Sequence, residues 1–245
     1  MSQPLIETIN RKYMKGAHKA MRPVDASSIV LMDRSGPEPR LLMGKRNPAA
    51  KFMPGFFVFP GGRTEKHDGD VPHAGSLSAD DMRRLGQFVT RPSARRLRGL
   101  ALGAIRETFE ETGLHISVPA TGPIAPQADA SWAAFLANGQ LPNLDGVMFI
   151  ARAITPPGRP RRFDTRFFAL DISGIADVST VKPTPDSELV ELRWVTLDEA
   201  LNVESAEITQ IILGELRRLI AVDFAPDAPR PFFRARHKKF QRIGL

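Results

Sequence analysis

Three carboxylates stand at positions i, i+3 and i+4 in the run Arg106-Glu107-Thr108-Phe109-Glu110-Glu111-Thr112-Gly113-Leu114. On a helix that spacing puts Glu107, Glu110 and Glu111 on one face. Like charges so placed repel by roughly 0.2–0.5 kcal/mol per pair on an isolated helix. A cation between them reverses the sign, and hard divalent ions favour clustered oxygen ligands. A metal held in this way usually serves phosphate chemistry.

The rest of the same segment describes the helix that must carry the acids. At 100° per residue, Leu102, Ile105 and Phe109 form an apolar stripe, and the three glutamates cluster roughly 150° from its centre. Ser93 after Pro92 suits an N-cap and Gly113 a C-terminal stop. The spacing therefore predicts a helix over 93–112, its apolar side toward a core and its acid side toward solvent or metal. A solvated acidic face is the plain alternative. Upstream, Phe56-Phe57-Val58-Phe59 reads as a short buried strand, followed by Pro60-Gly61-Gly62. Two glycines let the backbone turn sharply and approach a ligand closely, which makes the Gly61 or Gly62 carbonyl available as a further oxygen ligand.

Gly62 and Arg106-Glu107-x-x-Glu110-Glu111-x-Gly113-Leu114 resemble the two ends of the Nudix box, which reads Gly, five residues, Glu, seven residues, then Arg-Glu-aliphatic-x-Glu-Glu-x-Gly-aliphatic. Here residues 63–105 intervene, 43 residues where the box has 13. Asp68 stands where the box has its middle Glu, and Thr108 replaces an aliphatic residue. Glu65 or Asp68, or neither, fills the middle position. A similarly interrupted box occurs in a Nudix branch that includes the mammalian peroxisomal coenzyme A diphosphatase. Leu41-Leu42-Met43-Gly44-Lys45-Arg46, Phe52-Met53-Pro54-Gly55 and Thr155-Pro156-Pro157-Gly158 with Arg162-Phe163-Asp164-Thr165-Arg166-Phe167-Phe168 are similar to that branch. The likeness spans about residues 25–200. The motif associated with coenzyme A in other Nudix branches has Arg four residues before its Gly, whereas here Lys51 precedes Gly55.

The resemblance implies an α/β fold: a Nudix α/β/α sandwich, a mixed sheet between helices, with a helical insertion inside the box. It also implies a metal-dependent hydrolase of diphosphate linkages. Glu107, Glu110, Glu111 and the Gly61 carbonyl would hold Mg²⁺ or Mn²⁺, and Arg106 would orient a glutamate by a charge-assisted hydrogen bond. Coenzyme A or acyl-coenzyme A leads as substrate, ahead of nucleotide sugars, dinucleotides and capped RNA. Glu107 and an acid on a later loop, such as Glu188, are the candidate general bases. Lys51, Phe52, Arg161 and Arg162 are the expected substrate contacts. Two other classes compete: a Nudix fold kept as a nucleotide or nucleic-acid binding module, which loss of Glu107 or Glu111 would have favoured, and a non-hydrolytic Nudix enzyme.

The insertion, about residues 69–98, has structure signals of its own. Ser78-x-x-Asp81 resembles a capping box, and Met82, Leu85, Phe88 and Val89 recur at helical spacing, which predicts a helix over 79–90 packed beside the site. Surface loops accept such lengthening at small entropic cost. Elsewhere, strands are expected over 27–32, 41–45, 56–59, 116–118, 147–153, 165–169 and 188–195. Helices are expected over 130–137 and 208–222, with a short one beginning at Leu197.

Length and composition suit one domain, residues 1–245, with 42% hydrophobic residues. The absence of Cys excludes a disulfide framework, Cys-based zinc sites and thiol catalysis. The five histidines show no metal-ligand spacing. No segment has the apolar core of a secretory signal or the roughly 18 apolar residues of a membrane span, so a cytoplasmic protein with no membrane partner is the expectation. The terminal Ile243-Gly244-Leu245 is a poor match to a peroxisomal Ser-Lys-Leu address. The net charge is +7. Residues 226–245 form a basic C-terminal arm, six basic residues against one acid, with Phe232, Phe233 and Phe240 interleaved. Basic residues among aromatics suit nucleic acid. A docked arm or an anionic phosphorylated small substrate accounts for them as well. Composition leaves a homodimer open.

Overall fold

The fold was obtained as a computed structural model, which describes residues 2–14, 21–50, 53–173, 181–184 and 187–245. Helices are α1 (Ser2–Tyr13), α2 (Ala79–Gly86), α3 (Ala94–Thr112), α4 (Ala130–Leu136), α5 (Leu197–Asn202) and α6 (Glu207–Ala221). Strands are β1 (Val24–Asp33), β2 (Arg40–Arg46), β3 (Phe57–Val58), β4 (Gly61–Arg63), β5 (Ser117–Pro119), β6 (Gln140–Pro142), β7 (Met148–Ile154), β8 (Phe163–Asp171), β9 (Leu189–Thr196), β10 (Pro231–Arg236) and β11 (Lys239–Gly244). A 3₁₀ turn covers Asp68–Asp70.

The main sheet runs β11-β10-β7-β8-β1-β2-β3, with β4 added to β1 and β9 to β2. It is mixed: β1 and β8 pair in parallel from Val24↔Phe163 to Met32↔Asp171, β10 pairs in parallel with β7, and the other pairs are antiparallel. Alternation along β1 shows why both faces need cover. Ile29 and Leu31 pack on one side with Leu100, Ala104 and Ile105 of α3. Val30 and Met32 pack on the other with Ile6 and Ile9 of α1 and Ile212 and Leu216 of α6. The sandwich is thus helix, mixed sheet, helix, as expected. Among the described residues no helix is long and apolar enough to cross a membrane.

The principal helix matches its expected bounds. Ser93 Oγ accepts the Arg96 N–H at 3.2 Å, and Gly113, at φ +69°, donates its N–H to the Phe109 carbonyl at 2.9 Å. The apolar stripe packs into the core as expected, but the rest of the helix is more enclosed than a solvent-facing side would be. Leu97 to Arg106 are buried apart from the partly buried Arg98, and Glu111 is buried too. The helix is enclosed by the sheet on one side and by the insertion on another.

The insertion differs from expectation in length and place. Ser78 caps α2 by accepting the Asp81 N–H at 3.0 Å, but the helix stops at Gly86, Gln87 is extended and Phe88 has φ +55°. It packs on α3 and β7, and none of its residues lines the cleft that holds the acids. The expectation of a helix packed beside the site is therefore corrected: Leu85, with the partly buried Met82 against it, packs into the core cluster that also holds Leu97, Leu100 and Ile105 of α3.

The C-terminal arm is a β-hairpin. Its tip, His237 and Lys238, has φ +49° and +59°, a turn that usually recruits Asn or Gly. Three of its six cations are engaged inside the fold, while Arg236, Lys238 and Lys239 are exposed. Arg230 is buried and donates to the carbonyls of Phe149, Ala228 and Phe224. Arg242 pairs with the buried Glu215, and the Arg234 guanidinium stacks on Phe88 and Phe232. These contacts account for half of the basic residues that suggested nucleic acid.

Candidate active site

Two glycines bring the box ends together across the 43 intervening residues. Gly61 sits at φ +144°, where an added Cβ would lie 2.4 Å from the Ser27 carbonyl. Gly62 faces α3 so closely that a Cβ would lie 2.4 Å from Glu107 Oε2. The pair forms β4 rather than only the expected turn. The Gly61 N–H donates to Glu111 Oε2 at 3.0 Å, which ties the strand to the last turn of α3.

Arg106 is 5% exposed and uses every N–H it has. Nε donates to Asp68 Oδ1 at 3.0 Å. Nη2 donates to the Arg63 carbonyl at 2.9 Å and to Asp68 Oδ2 at 3.3 Å. Nη1 donates to Glu107 Oε1 at 2.9 Å and Glu110 Oε1 at 2.8 Å. A guanidinium carries five donors, so the set is complete. Burial works against this charge, but Asp68, Glu107 and Glu110 outweigh it and hold the group above its ordinary range.

Asp68, one of two candidates for the middle acid of the box, is fully buried and lies behind Arg106. Besides Arg106 it accepts from the Glu65 N–H at 2.8 Å and from Trp132 Nε1 at 2.8 Å. Gly103 permits this approach: a Cβ there would lie 2.7 Å from Asp68 Oδ2. Glu65 contributes its backbone here, and its side chain pairs with Arg63.

Burial pushes the Glu111 carboxyl up to about 8; the Gly61 N–H opposes this and the nearby Glu107 adds to it. Burial also lifts Glu107 to about 7, with Arg106 opposing and Glu110 adding. Two adjacent carboxyls made reluctant to ionise are a donor set that a divalent cation would relieve. Among the described residues no three acidic or imidazole groups already converge as ligands. The donor chemistry fits a hard divalent cation, with Glu110, whose side chain is 33% exposed, having room to turn.

The three acids open into a cleft of about 660 Å³, within the usual range of small-molecule sites. Arg161, Arg162, Arg46 and Glu188 line it too, so structure gathers residues far apart in sequence. Arg46 and Glu188 form an ion pair at its edge. Arg162 is tied down, donating to the Thr155 carbonyl at 3.0 Å and the Met21 carbonyl at 2.6 Å, while Arg161 is exposed. Lys51 and Phe52 lie outside the described residues, though Met53 beside them lines the cleft. Sequence reasoning missed Trp132 and gave Arg46 no role. A Trp in a short helix was a signal for the first, since a buried indole N–H needs a partner.

An acid-bearing helix running under a mixed sheet, with a Gly-Gly strand pinned to it, can be compared with known proteins. A NUDIX hydrolase from Alicyclobacillus acidocaldarius superposes with a TM-score of 0.63 over 85% of this chain and 94% of its own, at 23% identity. The fold is that of the Nudix hydrolases. In sequence, the chain is 29% identical over 188 residues to the Caenorhabditis elegans protein provisionally designated nudix hydrolase 7. That match takes in 72% of this chain and 52% of the relative, so the chain spans about half the length of the curated protein it matches. No family model matches the sequence. Within the Nudix fold found here, the two segments that resemble the ends of the box meet at Gly62 and Glu107.

Proposed function

We propose that this chain is a divalent-metal-dependent Nudix diphosphatase acting on coenzyme A or acyl-coenzyme A, giving 3′,5′-ADP and (acyl-)4′-phosphopantetheine. One observation carries the hydrolase reading: Glu107, Glu110 and Glu111 open into a cleft that also carries arginines. The substrate rests on the likeness of the Phe52–Gly55 segment and of the interrupted box to the coenzyme A branch.

Glu107, Glu110 and Glu111, with the Gly61 carbonyl, would hold Mg²⁺ or Mn²⁺. Such an ion supplies neutralisation of the diphosphate charge and acidification of water. The residues supply the rest. Arg106 keeps Glu107 and Glu110 aimed at the cleft. Glu107 or Glu188 would accept the proton that water loses as its oxygen joins phosphorus and the bridging P–O bond breaks. Exposed Arg161 offers a cation for phosphate away from the acids. In this reading the partner is a small phosphoanhydride, and the cytoplasm is the proposed compartment.

Chromatography of products formed from coenzyme A with Mg²⁺ or Mn²⁺ tests the proposal. The expected products are 3′,5′-ADP and 4′-phosphopantetheine. Clearly higher kcat/KM for a nucleotide sugar, dinucleotide or RNA cap would replace the substrate, and no turnover of any diphosphate would overturn the enzyme reading.

A further inference from the structure

We infer that Trp132 is a positioning residue for the acid site, although it belongs to α4 and lies outside every motif that marks the box. The inference rests on the metal site proposed above. Trp132 is fully buried and its indole N–H donates to Asp68 Oδ1 at 2.8 Å. Trp132 is fixed in turn, since Asp129 caps α4 by accepting the Trp132 backbone N–H at 3.0 Å, and its ring packs edge-on against Phe135.

The consequence follows from counting bonds. Asp68 is gripped on both oxygens from outside the arginine, by the Glu65 N–H on Oδ2 and by the Trp132 N–H on Oδ1. Those two donors set the plane of the carboxylate. The remaining lone pairs face Nε and Nη2 of Arg106. With that edge of the guanidinium fixed, only Nη1 is left for Glu107 and Glu110, and its direction is fixed too. The orientation of two cleft acids is thus set through a chain of three buried groups, Trp132 to Asp68 to Arg106. Without the indole N–H, Asp68 loses one of the two constraints on its plane, and Arg106 can follow it.

Hydrogen bonds behind metal ligands typically matter 10- to 100-fold in ion affinity. Trp132 acts at one further remove, so about tenfold is expected. The test is titration calorimetry of the full chain with Mn²⁺ alone, for wild type and Trp132→Phe, with near-ultraviolet circular dichroism to check packing. A second variant carries 3-benzothienylalanine at position 132, which keeps the bicyclic shape and lacks only the N–H. The expected result is an Mn²⁺ affinity about tenfold weaker in both, with a native fold in the benzothienyl variant. That variant decides if Trp132→Phe does not fold. Wild-type Mn²⁺ affinity in the benzothienyl protein would overturn the inference and leave Trp132 as packing alone. If wild type itself bound no Mn²⁺, the metal site would fail, and this inference with it.

Discussion

At the residue scale, Glu111 carries the sharpest expectations. Its pKa in the folded chain, about 8, lies above the ordinary 4.5. A carboxyl raised on folding contributes stability that is full below its unfolded value and is lost as pH climbs through the folded one. Glu107, raised to about 7, acts in the same sense. In chelator, thermal melting temperature should therefore fall between about pH 4.5 and 8. Glu111→Gln should flatten that slope, and added Mn²⁺ should reverse it in wild type. A melting temperature that rises over this window would contradict the assignment. Glu110→Gln and Glu111→Gln should each lower kcat by orders of magnitude while the fold persists, measured on the best diphosphate found. Gly62→Ala should do the same for a different reason: its methyl would occupy the space of Glu107 Oε2.

These residues were the most legible part of the chain. The spacing of three acids and a glycine pair is local, and local spacing survives translation into structure. Asp68 was ambiguous because the sequence shows how far it stands from Gly62 but not which way it faces. Trp132 could be read as a buried indole in need of a partner, but only the fold shows that the partner is Asp68, and only the fold brings Arg46 to the cleft.

At the scale of elements, β8 and the loop before it separate two arginines that look alike in sequence. Arg161→Ala should raise KM for coenzyme A about tenfold, the worth of one charge-assisted contact. It should barely affect dephospho-coenzyme A, which lacks the 3′-phosphate. Equal losses on both would leave Arg161 as solvated surface. Arg162→Ala should instead lower stability and affect both substrates alike, because it straps the Thr155 and Met21 carbonyls. The long helices and the buried strands were legible from period alone, α3 to within a residue. Three kinds of element were not. The 3-residue β4 hid in a turn motif, because pairing with β1 depends on a partner remote in sequence. Helix α1 marks its inner face with Leu5, Ile6, Ile9 and Tyr13, a short pattern on an otherwise polar segment. The hairpin β10–β11 turns at His237-Lys238, a pair that carries no turn signature.

At the scale of the whole molecule, that hairpin is part of the body rather than an appendage. It pairs with β7, and Phe232, Phe233 and Phe240 are buried in it. Burying such a ring stabilises by roughly 1.5–3 kcal/mol. Removing residues 230–245 should therefore destabilise the protein by several kcal/mol on that scale and lower soluble yield, with no selective effect on either substrate. A truncated chain that melts like wild type, followed by circular dichroism, would return these residues to the status of a tail.

The completeness of the Arg106 bonds has one more consequence, which concerns chemical repair. Five donors meet five bonds, and a lysine offers three. Arg106→Lys should therefore leave buried acceptors unanswered although the charge is kept. Arg106→Ala empties a guanidinium-shaped hollow bounded by anions and a carbonyl. A small planar ion added to the buffer can enter what a mutation has vacated: guanidinium at millimolar concentration should restore turnover to the alanine variant, while ammonium of equal charge should not.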